Sequence, residues 1–133
     1  MLPSPKPRLS ITITPAKLSK PDIDQATNLH HKILKVGADV GKGITHRILI
    51  NEAAALLPTY QQFTLDQIKD GPLKRFNTLM HVRAPYAEAL LTGQPPHFAD
   101  QSRPPVQKAV AEIDALLQEV FEALAVDQLK AAA

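Results

Sequence analysis

Cysteine and tryptophan are absent from this chain of 133 residues, which has only two tyrosines and four phenylalanines. Without cysteine, disulfide bonds, thiolate nucleophiles and cysteine-ligated zinc or iron–sulfur sites are all excluded. With so few aromatic rings, the core has to be filled by isoleucine, leucine, valine and alanine. Because 44% of the residues are hydrophobic and 21% are charged, the composition nevertheless predicts one folded globular domain.

Long hydrophobic runs are also missing from the sequence. No apolar stretch approaches the roughly 18 residues that a membrane-spanning helix requires. The N-terminal stretch MLPSPKPRLSITITP is basic and interrupted by prolines, so it lacks the apolar centre of a secretory signal. We therefore expect a cytoplasmic protein without a membrane partner.

Residues 1–20 are predicted to form an extended basic arm, because their prolines fix the backbone and remove hydrogen-bond donors. Within this arm Leu9, Ile11 and Ile13 alternate with polar residues, which is the period of a β-strand with one covered face. No second strand pattern of similar quality follows in the sequence. The segment is therefore expected either to lie over the helices or to add an edge strand to another chain's sheet.

Residues 21–133 are predicted to form a single all-α domain, a bundle of five or six helices. Apolar residues three or four positions apart, capping residues, prolines and glycines mark the helical segments. These segments are SKPDIDQATNLHHKILKV, THRILINEAAALL, FTLDQIKDG, PLKRFNTLMHVR, PYAEALLTG and a long C-terminal helix over residues 106–130. A proline-rich connection, residues 94–105, precedes the last helix.

The C-terminal helix has the clearest pattern in the chain, an apolar stripe with spacings of 4, 3, 4, 3 and 4 residues that begins at Val106. The stripe favours two interpretations: a surface for self-association or a partner, or a helix that closes the domain's own core. On the first interpretation, the helix and the arm contribute the partner-binding residues Val110, Ile113, Leu117, Val120, Phe121, Leu124, Leu9, Ile11 and Ile13.

Catalytic, cofactor-binding and metal-binding residues are not predicted. The glycine-rich segment KVGADVGKGITHR lacks the spacing and the hydroxyl of a phosphate-binding P-loop, and we interpret it as a connection between two helices. His30, His31, His46 and His81 have no histidine or carboxylate partner three or four residues away, as a metal site on one helix would need, and His97 lies in the proline-rich connection. We therefore expect no cofactor and no enzymatic activity.

Nucleic-acid binding is the alternative hypothesis. Residues 64–83 have the outline of a helix-turn-helix, although Gln67 and Pro72 stand where such a motif favours a small and an apolar residue. The basic arm adds positive charge, which can equally pair with an acidic helix. The residues that would contact phosphates are Lys6, Arg8, Lys74, Arg75 and Arg83.

These features favour a non-catalytic protein-protein interaction or assembly module, such as an adaptor or an immunity or antitoxin-like partner. Its contact surfaces would be the C-terminal helix and the N-terminal arm, with another protein or a second copy as the partner. A nucleic-acid-binding regulator is the second hypothesis.

Overall fold

Strands and helices alternate along the part of the chain that the computed structural model describes, residues 11–132. The elements within this range are β1 (Ile11–Ala16), α1 (Lys20–Asp39), β2 (Thr45–Ile50), α2 (Thr59–Asp70), α3 (Ala84–Thr92), a 3₁₀ turn (Pro96–Phe98) and α4 (Pro104–Ala132). The predicted all-α bundle of five or six helices is therefore wrong, because the protein is an α/β mixture with four helices in its described part. None of these helices combines the length and apolar character needed to cross a membrane.

β1 and β2 form a parallel pair, with Ile11 opposite Thr45 and Ala16 opposite Ile50. A parallel pair needs a long crossover connection, and α1 provides it. β1 lies where the sequence predicts a strand, whereas β2 lies in a segment predicted to be helical. The segment THRILI was misread because Ile48 and Ile50 are buried and Leu49 is half-buried, so its apolar residues run together instead of alternating.

A third extended segment, residues 73–82, runs parallel to β2 on the side away from β1. The Ile48 amide donates to the Lys74 carbonyl, and the Phe76 amide donates back to the Ile48 carbonyl. A second bridge pairs Ala53 with His81, so this segment has one residue more than β2 between the two bridges. The predicted helix PLKRFNTLMHVR is therefore wrong, and residues 64–83 do not form a helix-turn-helix.

The two faces of β2 pack against different helices. The side chains of Ile48 and Ile50 point towards α1 and α2, whereas those of Thr45 and Arg47 lie on the side of α4. The core on the first face is aliphatic, as the composition predicts, and consists of Leu18, Ala26, Ile48, Ile50, Ala53, Ile68 and Leu73.

α1 begins and ends with recognisable capping residues. The Ser19 hydroxyl accepts a hydrogen bond from the Asp22 amide at the N-terminus, and Gly41 adopts a left-handed conformation (φ 67°) just beyond the C-terminus. Gly37 lies inside the helix instead of ending it, and a Cβ atom there would come 2.5 Å from the Lys42 carbonyl oxygen. The glycine-rich segment therefore joins a helix to a strand, which is the reverse order of a P-loop.

α4 begins at Pro104, two residues before the predicted start of the C-terminal helix, and crosses the second face of the sheet. Val106, Ala109 and Ala123 are its buried side chains. Small alanine side chains let the helix approach its neighbours closely. The N-terminal part of α4 also contacts α3 and the 3₁₀ turn.

Candidate interaction surface

Helix α4 is held in place by a carboxylate, Glu112, that receives hydrogen bonds from several donors. Arg83 Nε donates to Glu112 Oε2 over 2.8 Å, His81 Nδ1 lies 2.6 Å from the same oxygen, and Tyr86 Oη donates to Oε1 over 2.8 Å. Burial by itself raises the pKa of Glu112, but the hydrogen bonds from Arg83, His81 and Tyr86 outweigh it and lower the pKa below its ordinary value. Glu112 therefore stays charged and fixes α4 against the end of the 73–82 segment.

Two further carboxylates repeat this pattern along α4. Glu119 accepts the backbone amides of Asn77 at 2.7 Å and Thr78 at 2.9 Å, as well as the Thr78 hydroxyl at 2.6 Å. Asp127 accepts the hydroxyl of Thr45, the first residue of β2, at 2.6 Å. Burial raises the pKa of Glu119, yet the hydrogen bonds from Thr78 and Asn77 lower it overall. These contacts set the direction in which α4 crosses the sheet.

The opposite side of α4 is apolar and exposed. Helical residues are about 100° apart around the axis, so Leu117 and Phe121 point away from Glu119, with the buried Ala123 between the two sides. Leu117 is 45% exposed and Phe121 is 63% exposed. Because Glu119 reaches the 73–82 segment at one edge of the sheet, Leu117 and Phe121 lean towards the other edge, where β1 lies.

The predicted apolar stripe of α4 therefore contains both exposed and half-buried side chains. Leu117 and Phe121 are exposed, as a partner-binding surface requires. The other predicted partner-binding positions of the helix are half-buried, which matches the interpretation that the helix closes the domain's own core. These half-buried positions are Val110, Ile113, Val120 and Leu124.

β1 has an open outer edge, since no strand within residues 11–132 pairs with that side. The carbonyl of Ala16 accepts a hydrogen bond from the amide of Asn51, just after β2. Because backbone groups alternate along a strand, those of Thr12, Thr14 and Ala16 point towards β2. The backbone groups of Ile11, Ile13 and Pro15 consequently point outwards. Ile13 is 36% exposed. Pro15 has no amide hydrogen, and its position on the outer edge leaves the β1–β2 ladder intact.

On the face of the sheet that α1 covers, apolar side chains of α1 flank the outer edge of β1. A groove of about 250 Å³ lies beside Thr14 and Pro15 and is lined by Leu29 of α1. Leu29 is 39% exposed, and Val36, seven residues later and so on the same side of the helix, is 53% exposed.

We call this region the edge surface: the outer edge of β1 with Ile11 and Ile13, flanked by Leu29 and Val36 of α1 and by Leu117 and Phe121 of α4. The sequence identified the β1 and α4 members. It missed Leu29 and Val36, because helical periodicity alone does not say how wide the buried stripe is. Leu9, the remaining predicted member, lies outside the described residues.

Within residues 11–132, the predicted nucleic-acid-binding residues Lys74, Arg75 and Arg83 do not form one free basic patch. Arg83 is bound to Glu112, whereas Arg75 donates to the backbone carbonyl of Phe76 at 2.9 Å. Lys74 is exposed on the 73–82 segment. Lys6 and Arg8 lie outside the described residues.

A buried histidine, His46, connects β1 to α1. Its Nε2 atom lies 2.7 Å from the Thr14 hydroxyl, and its Nδ1 atom lies 3.0 Å from Nδ1 of His30, with the two rings stacked. Burial lowers the pKa of His46, and the neighbouring His30 lowers it further. No group of three or more metal-ligating side chains gathers among the described residues. The contact between His30 and His46 instead fixes α1 over the β1–β2 ladder.

A groove between α1 and α2 is the main rival site. Two adjoining cavities of about 420 and 410 Å³ share Ile23 and Gln67 as lining residues. Several of their polar groups already have local partners: the Ser19 hydroxyl caps α1, the Thr27 hydroxyl donates to the Ile23 carbonyl, and Lys20 forms a salt bridge with Asp24 at 2.7 Å. Binding sites for small molecules usually present polar groups that converge on the ligand, and these groups are already engaged within the chain.

No protein-family model, no curated protein and no solved structure matches this chain. Function is therefore inferred from the geometry of the edge surface.

Proposed function

We propose that this protein is a non-catalytic, cytoplasmic protein-protein interaction or assembly module whose contact site is the edge surface. One observation carries the proposal: an open strand edge is flanked on both faces of the sheet by exposed apolar side chains. These are Leu29 and Val36 on one face, and Leu117 and Phe121 on the other.

An open edge offers unpaired backbone donors and acceptors, which a strand of a partner can satisfy. Exposed apolar side chains around it supply the area that backbone hydrogen bonds lack, because interface stability comes mainly from a few large buried side chains. Among the exposed apolar side chains of the edge surface, Phe121 is the largest and has the greatest exposed fraction. The combination suits an adaptor or assembly component, and it gives no support to turnover of a substrate.

Nucleic-acid binding has weaker support from the geometry. Phosphate contacts require exposed Lys and Arg side chains, and Arg83 is already neutralised by Glu112. The extended 73–82 segment also replaces the helix that would enter a groove of DNA.

Three exposed phenylalanines allow the site to be located by experiment. Phe121 lies on the edge surface, Phe63 lines the α1–α2 groove, and Phe98 belongs to the 3₁₀ turn, with exposures of 63%, 61% and 73%. A photo-activated phenylalanine analogue is placed at each position in turn in the full chain, expressed at its natural level in its own cells. We expect a discrete cross-linked product from position 121 alone.

The control variant is Ile13→Lys, which puts a charge on the strand edge and leaves the helices unchanged. In the position-121 protein it should abolish the cross-link. A product that forms equally at positions 63 or 98, or one that survives Ile13→Lys, would show that the edge surface is not the contact site.

A further inference from the structure

We propose that the partner at the edge surface is a second copy of this chain, joined through antiparallel pairing of the two β1 strands about a two-fold axis at Thr12. This inference rests on the proposed function and specifies its partner and register. Most symmetric dimers use the same patch on both copies, so the patch has to be complementary to itself.

The backbone of β1 meets that requirement. Its outer edge carries the amide and carbonyl groups of Ile11 and Ile13, and only the carbonyl of Pro15. When Ile11 of one copy lies opposite Ile13 of the other, each of these donors faces an acceptor. An axis at Ile13 instead places Ile11 opposite Pro15, whose missing amide leaves a carbonyl unbonded. An axis at Ile11 pairs only Ile11 with itself among the described residues. The Thr12 and Ile13 axes each satisfy four of these five groups per copy, and the Thr12 axis differs from the Ile13 axis in that each pair of described residues exchanges both hydrogen bonds.

The side chains agree with this register. Thr14 contacts His46 on the α1 side of the sheet, so Thr12 lies on that side, whereas Ile11 and Ile13 lie on the α4 side. The two copies of Thr12 then meet as a directly opposed pair without hydrogen bonds between their backbones, with Cα atoms about 4.5 Å apart. Cross-strand threonine pairs stabilise antiparallel sheets, and so do pairs of β-branched apolar residues such as Ile11 with Ile13.

The flanking helices enlarge the contact. A stable interface usually buries about 800 Å² on each partner, which exceeds what a short pair of edge strands covers. A two-fold axis through the sheet places α4 beside α4 of the second copy, and α1 beside its counterpart on the other face. In this arrangement the exposed Leu117 and Phe121 on one face of the sheet, and Leu29 and Val36 on the other, add apolar area to the contact.

The absence of cysteine makes the register directly measurable, because a single introduced cysteine can link only to its own copy in the second chain. Thr12→Cys places two thiols at a distance that a disulfide spans. Ile11→Cys and Ile13→Cys face isoleucines in this register, and Thr59→Cys lies at the exposed start of α2. Under mild oxidation, Thr12→Cys should form a covalent dimer at least about tenfold faster than the other three, because association raises the local thiol concentration.

A faster reaction of Ile11→Cys or Ile13→Cys would overturn the Thr12 axis. Equal rates for all four variants would overturn pairing through β1 altogether. Circular dichroism of each reduced variant shows whether it is folded before its rate is compared.

Light scattering of the purified full chain tests the second copy independently. The wild type should have twice the mass of one chain, and Ile13→Lys should have the mass of one chain with an unchanged circular dichroism spectrum. A wild type that stays monomeric at all attainable concentrations would overturn the inference. If Phe121 then still cross-links another protein in cells, the proposed function stands with a different partner, and if it cross-links nothing, both fail.

Discussion

The two long sides of α4 carry opposite chemistry. On one side Glu112 and Glu119 accept hydrogen bonds from backbone amides of the extended 73–82 segment, and Asp127, which accepts the Thr45 hydroxyl of β2, lies between the two sides. On the other side Leu117 and Phe121 face solvent beside the open edge of β1. One side completes its contacts within the chain, and the other leaves apolar area that only another molecule can cover.

This difference separates two tasks within one helix. Charge-assisted hydrogen bonds are directional, so the carboxylates determine how α4 lies on the sheet. Apolar contacts are much less directional, and Leu117 and Phe121 can adapt to a partner's surface. Substitutions on the first side should therefore change folding, whereas those on the second should change association.

Glu112→Ala should produce the largest effect. It leaves Arg83 and His81 without their carboxylate, and breaking this largely buried ion pair costs about 3 kcal/mol of unfolding free energy. Urea unfolding monitored by circular dichroism measures the change. Glu122→Gln is the matched control, because Glu122 is an exposed residue of the same helix whose partner is Gln118. Equal losses in both variants would contradict the assigned role of Glu112.

Glu119→Ala should lower the unfolding free energy by about 2 kcal/mol, because it leaves two backbone amides and one hydroxyl without their acceptor. Thr78→Val removes one of these three donors and should cost less, about 1 kcal/mol. The same urea experiment ranks the two variants. If Thr78→Val were the more harmful substitution, the backbone amides would not be the main partners of Glu119.

Stability should fall in two steps on acidification. The folded pKa of His46 lies below its ordinary 6.5, so the unfolded chain binds more protons below that pH and stability declines there. The folded pKa values of Glu112 and Glu119 lie below 4.5, so their stabilisation is present above pH 4.5 and is lost as the pH falls through the folded values. Unfolding free energies measured across this range should show both steps.

Two variants separate these steps. His46→Gln should remove the decline that begins near pH 6.5, and Glu112→Gln with Glu119→Gln should flatten the one below pH 4.5. A first step that persists in His46→Gln would assign it to another group.

Leu117→Gln with Phe121→Gln should have the smallest effect on folding. Both side chains are exposed, so the unfolding free energy of the monomer should change by less than about 0.5 kcal/mol. The dependence of the melting temperature on protein concentration, which association produces, should disappear. Leu90→Gln with Leu91→Gln, two exposed residues of α3, is the matched control and should leave that dependence intact.

Much of the local structure was predictable from sequence. The helix that begins near Ser19, the strand character of Ile11 and Ile13 and the long C-terminal helix were all identified from neighbouring residues. THRILI was misassigned because burial between layers removes the alternation by which a strand is recognised, and PLKRFNTLMHVR because Leu73, Phe76 and Leu79 are three residues apart, a spacing typical of a helix. Without these two segments β1 had no visible partner, and the fold class was wrong.

The sequence predicted only part of the candidate site, because the burial of its residues depends on distant parts of the chain. Leu117 and Phe121 belong to a periodic stripe, but nothing local distinguishes them from the half-buried Val120 and Leu124. That distinction depends on Glu112, Glu119 and Asp127 of α4, whose side-chain partners lie 26 to 82 residues away in the chain.

The sequence by itself determined the aliphatic core, the N-terminal cap of α1, the absence of thiol chemistry and the strand character of β1, because each depends on residue types or close neighbours. Only the tertiary structure decided that β1 lies at an edge, and that exposed side chains of two distant helices lie beside it. Parallel pairing and helix docking join residues far apart in the chain, and the energy of such contacts leaves no periodic trace in the local sequence.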